Sequence, residues 1–217
     1  MWVVPKGQII RKNVQGINLK ISTLDSIVVV ELEQQGCLTL VINCITRTSK
    51  LTHLVYQTTD RTRCHQFQAR GYGSKLLHIV DAINRMYNVT ACSTEDFSKV
   101  GGDYLSMLYF LQHGLTWYAS KGYIRNAEVS FLRRARLFVE EPLSFWRGLV
   151  FSKEESVAAD AKAMSHRHPK MTFRRLVGGV TDAADRACLN DLWMEVLLRR
   201  DVDDDSLNVS TKRYEYT

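Results

Sequence analysis

The sequence predicts an α/β fold: a mixed central sheet flanked by helices, with a helical C-terminal extension. Three observations carry this expectation. The opening residues hold short β-branched runs separated by turns, a pair of glycines then introduces a stretch with helical periodicity, and the last third is dominated by helix-like patterns.

Taken in order, residues 7–12 read as a short strand, and residues 26–33, SIVVVELE, as another that ends at Gln34-Gln35-Gly36. Residues 37–43, CLTLVIN, are again β-rich, so the pair forms an antiparallel hairpin. Between the first two strands, residues 13–25 leave room for one short helix at most. LTHLVYQ, residues 51–57, is a further strand, and a polar segment follows it. From Ser74, a first-turn or N-cap residue, Leu76, Leu77, Ile79, Val80, Ile83, Met86 and Tyr87 recur at three- and four-residue steps. That spacing is one face of a helix, which Asn88 stops.

Residues 89–93, VTACS, are a short β-like run. A helix starting near Tyr104 then carries Met107, Leu108, Phe110, Leu111, Leu115 and Tyr118 to an end at Gly122, and residues 124–132 return to strand character. The texture changes after Glu140, which places one domain at 1–140 and a helical extension packed on it at 141–217. The extension holds Pro142, a segment around Trp146, and helices over 153–164 and 181–200. Asp201, Asp203, Asp204 and Asp205 and the polar tail after them are expected to fray.

An apolar share of 45% with 24% charged residues belongs to a globular chain and excludes a disordered or fibrous one. No run approaches the roughly 18 unbroken apolar residues of a membrane span, and no basic-then-apolar leader opens the chain. A cytoplasmic protein without membrane contact is the expectation. The cysteines, at 37, 44, 64, 92 and 188, show neither CxxC spacing nor disulfide-framework density, and read as reduced, mostly buried thiols.

The segment FQARGYGSKLLHIVDAI sets glycines directly before a helix. A helix N-terminus leaves amides unpaired and carries partial positive charge, and glycine lets that backbone approach an anion closely. The spacing is neither a Walker loop nor the three-glycine dinucleotide fingerprint. Gln68-Ala69-Arg70-Gly71-Tyr72-Gly73 matches Gln/Arg-x-x-Gly-x-Gly/Ala and so resembles the acetyl-CoA loop of the GNAT superfamily of N-acetyltransferases. Residues 115–123, LTWYASKGY, resemble the end of that family's fourth helix. The two are separated by a β-like run and a helix, as in the family, and the resemblance covers roughly residues 26–132.

The resemblance implies a GNAT-like sheet and transfer of acetyl from acetyl-CoA to a primary amine by direct attack. It places Gln68, Arg70, Gly71, Tyr72, Gly73, Ser74 and Lys75 on acetyl-CoA, with amides from Arg70 to Ser74 around the pyrophosphate, and it makes Tyr118 the general acid for the departing thiolate. Removing the amine proton needs a base or a water chain. His53, Asp60, His65 and Glu95 are in range by sequence, and none stands out as the base.

Family members carry two helices between their first and second strands, and the short interval here leaves the acceptor open: a polyamine, a small amine, or a protein lysine or N-terminus. The alternative is an inactive protein of the same fold that serves as an interaction module, meeting a protein partner or itself through the C-terminal helices. His166-Arg167-His168-Pro169 lacks metal-ligand spacing and reads as a solvated loop, so no metal is expected. Arg133, Arg134 and Arg136, with Arg125 and Arg147, read as a solvated face, with the 3′-phosphate of coenzyme A or a nucleic-acid backbone as other uses. A net charge of +6 is compatible with nucleic acid, but no nucleic-acid motif is present, and such a partner is not expected.

Overall fold

In the computed structural model the described residues are 5–33, 37–54, 71–95, 99–125, 135–142, 155–198 and 209–215. The chain forms two compact units, one of residues 1–95 with 210–217 and one of residues 96–209. Glu140, the expected domain boundary, lies inside the second unit.

The first unit is built on β1 (Ile9–Val14), β2 (Ile17–Leu24), β3 (Ile27–Leu32), β4 (Leu38–Asn43), β5 (Thr48–Leu54), α1 (Tyr72–Met86) and β6 (Ala91–Glu95). It is completed by β10 (Val209–Arg213), numbered in chain order after the strands of the second unit. The strand order is β1-β2-β3-β4-β5-β6-β10. Pairs from β1 to β5 are antiparallel, and β5 pairs parallel to β6 with Thr48 beside Ala91 and Leu51 beside Thr94. The α/β class and the mixed sheet are thus as the sequence predicts.

Alternation decides which face is buried. In β2, Ile17, Leu19 and Ile21 are buried while Asn18, Lys20 and Ser22 point the other way, and β3 and β4 repeat this with Val28, Val30, Leu32 and Leu38, Leu40, Ile42. Residues 13–25 therefore hold a strand, not a short helix. Their period is two, and only the strand conformation puts those three apolar side chains on one face. α1 packs on β4 and β5 with Leu76, Leu77, Ile79, Val80 and Ile83 buried.

The C-terminal tail does not fray. β10 lies beside β6, Tyr214 N donates to Thr90 O at 3.0 Å, and the Tyr214 side chain is buried. The four aspartates at 201–205 lie outside the described residues.

The second unit comprises the short strands β7 (Lys99–Val100) and β8 (Asp103–Tyr104), α2 (Leu105–His113), β9 (Ile124–Arg125), a helical stretch over residues 135–140 (α3), α4 (Glu155–Arg167), α5 (Phe173–Gly179) and α6 (Ala183–Leu198). The single helix expected over 104–122 is broken. Gly114 takes the left-handed conformation at φ 73°, its N–H closes on Phe110 O, and a 3-10 turn follows only at Ala119–Lys121. The segments around Trp146 and over residues 126–132 lie outside the described residues.

An aromatic cluster centres this unit. Trp193 stacks on Phe173 at 6.0 Å, tilts against Phe110 at 5.6 Å, and donates from Nε1 to Ser106 Oγ at 3.2 Å. Beside it, buried Asp103 receives Arg186, while Asn190 accepts from Tyr104 N at 3.1 Å and donates to Gly102 O at 3.2 Å. These bonds tie the β7–β8 hairpin to α6.

The cysteines differ from expectation in two places: Cys37 is disulfide-bonded and the free thiol of Cys44 is exposed. Spacing alone gives no sign of a disulfide, because pairing depends on the path of the chain. Cys92 and Cys188 are free and buried as expected. Burial, reinforced by Asp160, Asp191 and Asp185, pushes the Cys188 thiol up to about 12. Since the thiolate is the nucleophile, iodoacetamide at pH 8 is expected to label Cys44 and spare Cys92 and Cys188 until the protein is unfolded in guanidinium. Peptide mapping by mass spectrometry reads this directly; prompt labelling of Cys188 in the folded state would contradict its placement.

Candidate functional site

The start of α1 is built from Gly71 to Lys75. Gly71 is the N-cap residue at φ 88°, a conformation that glycine adopts without strain, and a Cβ built there meets nothing within 4 Å. Gly71 has no side chain with which to cap the helix, and no acidic residue occupies its first turn. The helix begins at Tyr72, two residues earlier than its apolar pattern predicts, so Tyr72, Gly73 and Ser74 are first-turn residues rather than loop. Their amides are the ones an α-helix leaves without intrahelical acceptors, and Lys75 N is the first to close back, on Gly71 O at 3.1 Å.

Lys75 sharpens the electrostatics. A cation in the first turn opposes the helix macrodipole, which favours negative charge there. Its Nζ sits over the Tyr72 ring, 5.5 Å from the centroid. Backbone N–H groups, the dipole and an ammonium thus gather at one end of α1. That combination attracts an anion.

The sheet decides where this end lies. At the far end of α1, Asn88 adopts φ 53°, Val89 N bonds to Asn84 O and Thr90 N bonds to Arg47 O just before β5. The helix C-terminus therefore meets the beginnings of β5 and β6, and its N-terminus stands at their C-terminal ends. In parallel α/β sheets that edge is where ligands bind.

A buried polar chain holds the lower half of α1. Ser49 Oγ donates to Asn84 Oδ1 at 2.9 Å, Asn84 Nδ2 donates to the Tyr214 hydroxyl at 2.9 Å, and that hydroxyl donates to Asp81 Oδ1 at 2.7 Å. Lys212 Nζ pairs with Asp81 Oδ2 at 2.6 Å. Sequence reasoning missed this chain. The one available signal was Asn84, a polar residue on the apolar stripe of the helix.

Of the other residues picked out by sequence, Gln68 and Arg70 lie outside the described residues, as do Asp60 and His65. His53 falls in β5 opposite Thr39. Glu95 ends β6 and forms an ion pair with Lys50 at 2.9 Å. Tyr118 belongs to the second unit, where it is 4% exposed and meets Trp117 and Tyr123 edge-on at 4.9 and 5.9 Å. His166 and Arg167 close α4 rather than form a loop, and Arg167 pairs with Asp185. Among the described residues no group of His, Cys, Asp and Glu is placed to hold a metal, and no helix is long and apolar enough to cross a membrane.

Comparison with protein-family models, with curated proteins and with solved structures finds no match to this chain.

Proposed function

We propose that the protein is an acetyl-CoA-dependent N-acetyltransferase that moves an acetyl group to a primary amine by direct attack. The observation that carries this reading is the acid-free first turn of α1, with Gly71 in the left-handed conformation at its N-cap and Lys75 beside it, at the C-terminal edge of a parallel strand pair. Open space beside Gly71 suits a pyrophosphate, and the resemblance of Gln68–Gly73 to the GNAT loop names the molecule that carries it.

Acetyl-CoA, when bound, supplies the thioester carbonyl. Within this reading the amides of Gly71 to Ser74 and the Lys75 ammonium bind and orient the diphosphate. What the GNAT resemblance implies for the Tyr118 hydroxyl is proton donation to the departing sulfur. The base that takes the amine proton is not assigned to a residue.

The second reading is a protein of this fold that keeps the loop without turnover and acts as an interaction module. The burial of Tyr118 among aromatic rings favours it.

Calorimetric titration with acetyl-CoA tests both. Micromolar binding is expected for the wild type and its loss for Gly73→Glu, because the carboxylate would occupy and repel the phosphate seat. The same charge suits the macrodipole, and circular dichroism of the variant checks that it is folded. Tyr118→Phe is expected to lower turnover on the order of a hundredfold while keeping acetyl-CoA affinity. Binding without turnover over a panel of amines selects the second reading. Unchanged affinity in Gly73→Glu would refute the cradle.

A further inference from the structure

Asn88, Val89 and Thr90 follow one another as asparagine, a residue other than proline, and threonine, the triplet that accepts an N-linked oligosaccharide. Such a triplet acts only in a chain that passes through an oxidising, glycosylating compartment, and only where the asparagine reaches the surface. Two observations meet those conditions.

The first is the disulfide of Cys37. Disulfides persist in secreted and extracellular proteins and are rare in the cytosol, where thiols are kept reduced. Cys37 is fully buried just before β4, so its bond belongs to the core and not to the exposed, exchangeable kind. This departs from the expectation of a cytoplasmic protein. The remaining thiols agree with an oxidising setting: Cys92 and Cys188 are buried, and Cys44 has no second exposed thiol among the described residues with which to pair.

The second is the turn that ends α1. Asn88 is exposed and takes the left-handed conformation at φ 53°. The backbone of the triplet is held: Asn88 N bonds to Arg85 O at 3.1 Å, Val89 N to Asn84 O at 2.9 Å and Thr90 N to Arg47 O at 2.7 Å. The Asn88 side chain, by contrast, makes no hydrogen bond among the described residues. Tolerance of positive φ accounts for an asparagine at 88 but asks nothing of position 90. Arg47, Arg85 and Thr90 around the turn are exposed as well, so a bulky substituent on Asn88 meets solvent and not the core.

We infer that Asn88 is an acceptor of N-linked oligosaccharide, attached in the oxidising compartment where the Cys37 disulfide forms. The donor is an oligosaccharide carried on a lipid diphosphate. Asn88 Nδ2 forms a bond to the anomeric carbon, the bond from that carbon to the diphosphate oxygen breaks, the diphosphate leaves with the electron pair, and a base of the transferring enzyme takes one amide proton. The modified turn stands at the opposite end of α1 from Gly71, about 25 Å away at 1.5 Å per residue, so the sugar leaves the candidate anion site open. Asn208, Val209 and Ser210 form a second such triplet, with its asparagine outside the described residues.

Production of the full chain behind a cleavable secretion leader in cultured animal cells tests this. Peptide-N-glycosidase is expected to convert Asn88 to aspartate in most of the secreted protein, read by peptide mapping, and Cys37 in the unfolded chain is expected to resist alkylation until reductant is added. Asn88→Gly, which suits the positive φ, and Thr90→Ala, which leaves Asn88 in place, should each abolish the conversion, and Thr90→Ser should retain it. Folded, secreted protein unmodified at Asn88, modification that persists in Thr90→Ala, or a Cys37 thiol that alkylates without reductant would overturn the assignment. A chain that is modified but misfolded by circular dichroism, when the chain made in the cytosol folds, would overturn it as well. Acetyl-CoA affinity is expected to be the same before and after removal of the sugar, so this test and that of the enzyme reading fail independently.

Discussion

Asn84→Ala is expected to destabilise the first unit by about 3 kcal/mol, read as a lowered midpoint in urea denaturation followed by circular dichroism. Asn84 is fully buried and is the central member of a chain running from Ser49 to Tyr214 and on to Asp81. Removing its amide leaves the buried Ser49 hydroxyl without its acceptor, deprives the Tyr214 oxygen of a donor, and opens a small cavity between α1 and β5. Tyr214→Phe removes only the hydroxyl and should cost less, about 1–2 kcal/mol. A double-mutant cycle between the two positions should show coupling, because each depends on the other's hydrogen bond. Additive losses would mean that the hydrogen bond contributes nothing.

The same chain has a signature at high pH. Burial is the main cause that pushes the Tyr214 phenol well above its ordinary value near 10. The folded state favours the protonated form, so this contribution is fully present below pH 10 and is lost only as the pH rises beyond it. In Tyr214→Phe that alkaline loss should be smaller than in the wild type.

Trp193→Ala is expected to cost the second unit about 3–5 kcal/mol. The indole is 1% exposed, touches rings from α2, α3 and α5, and satisfies its N–H on Ser106. Truncation removes the ring stacked on Phe173 and leaves a cavity lined by aromatic edges, which rigid neighbours fill poorly. Trp193→Phe keeps a ring but drops the donor, and a loss of about half that size is expected. A loss under about 1 kcal/mol for the alanine variant, by thermal unfolding at 222 nm, would show that this cluster is not the centre of the unit.

What the sequence disclosed follows the range of the interactions involved. α1, β3 and β4 were legible because each is specified by neighbours within a few positions: a stripe at three- and four-residue steps, or an alternation of β-branched residues. β2 was equally legible in the pattern of Ile17, Leu19 and Ile21, which the expectation of at most one short helix over residues 13–25 passed over. The break after α2 rests on one backbone angle at Gly114, which a pattern of apolar residues does not report. The start of α1 was visible as a candidate site because helix ends act locally. Its buried support was not, since Ser49, Asp81, Asn84, Lys212 and Tyr214 come from three distant parts of the chain and no local pattern relates them.

The division of the chain has a consequence for the order of assembly. The first unit takes residues from both sides of the second, and the Asn84–Tyr214 bond spans 130 positions. On a ribosome, which adds roughly 5–20 residues per second, the second unit is a continuous segment and can close as it emerges. The first unit must wait, with the edge of β6 open and Asn84 without its tyrosine, until the strand that covers them has been made. During that interval an exposed sheet edge is available to any extended peptide nearby. The step that completes this protein is therefore the late return of a short strand, and the yield of folded chain should depend on how quickly that strand arrives.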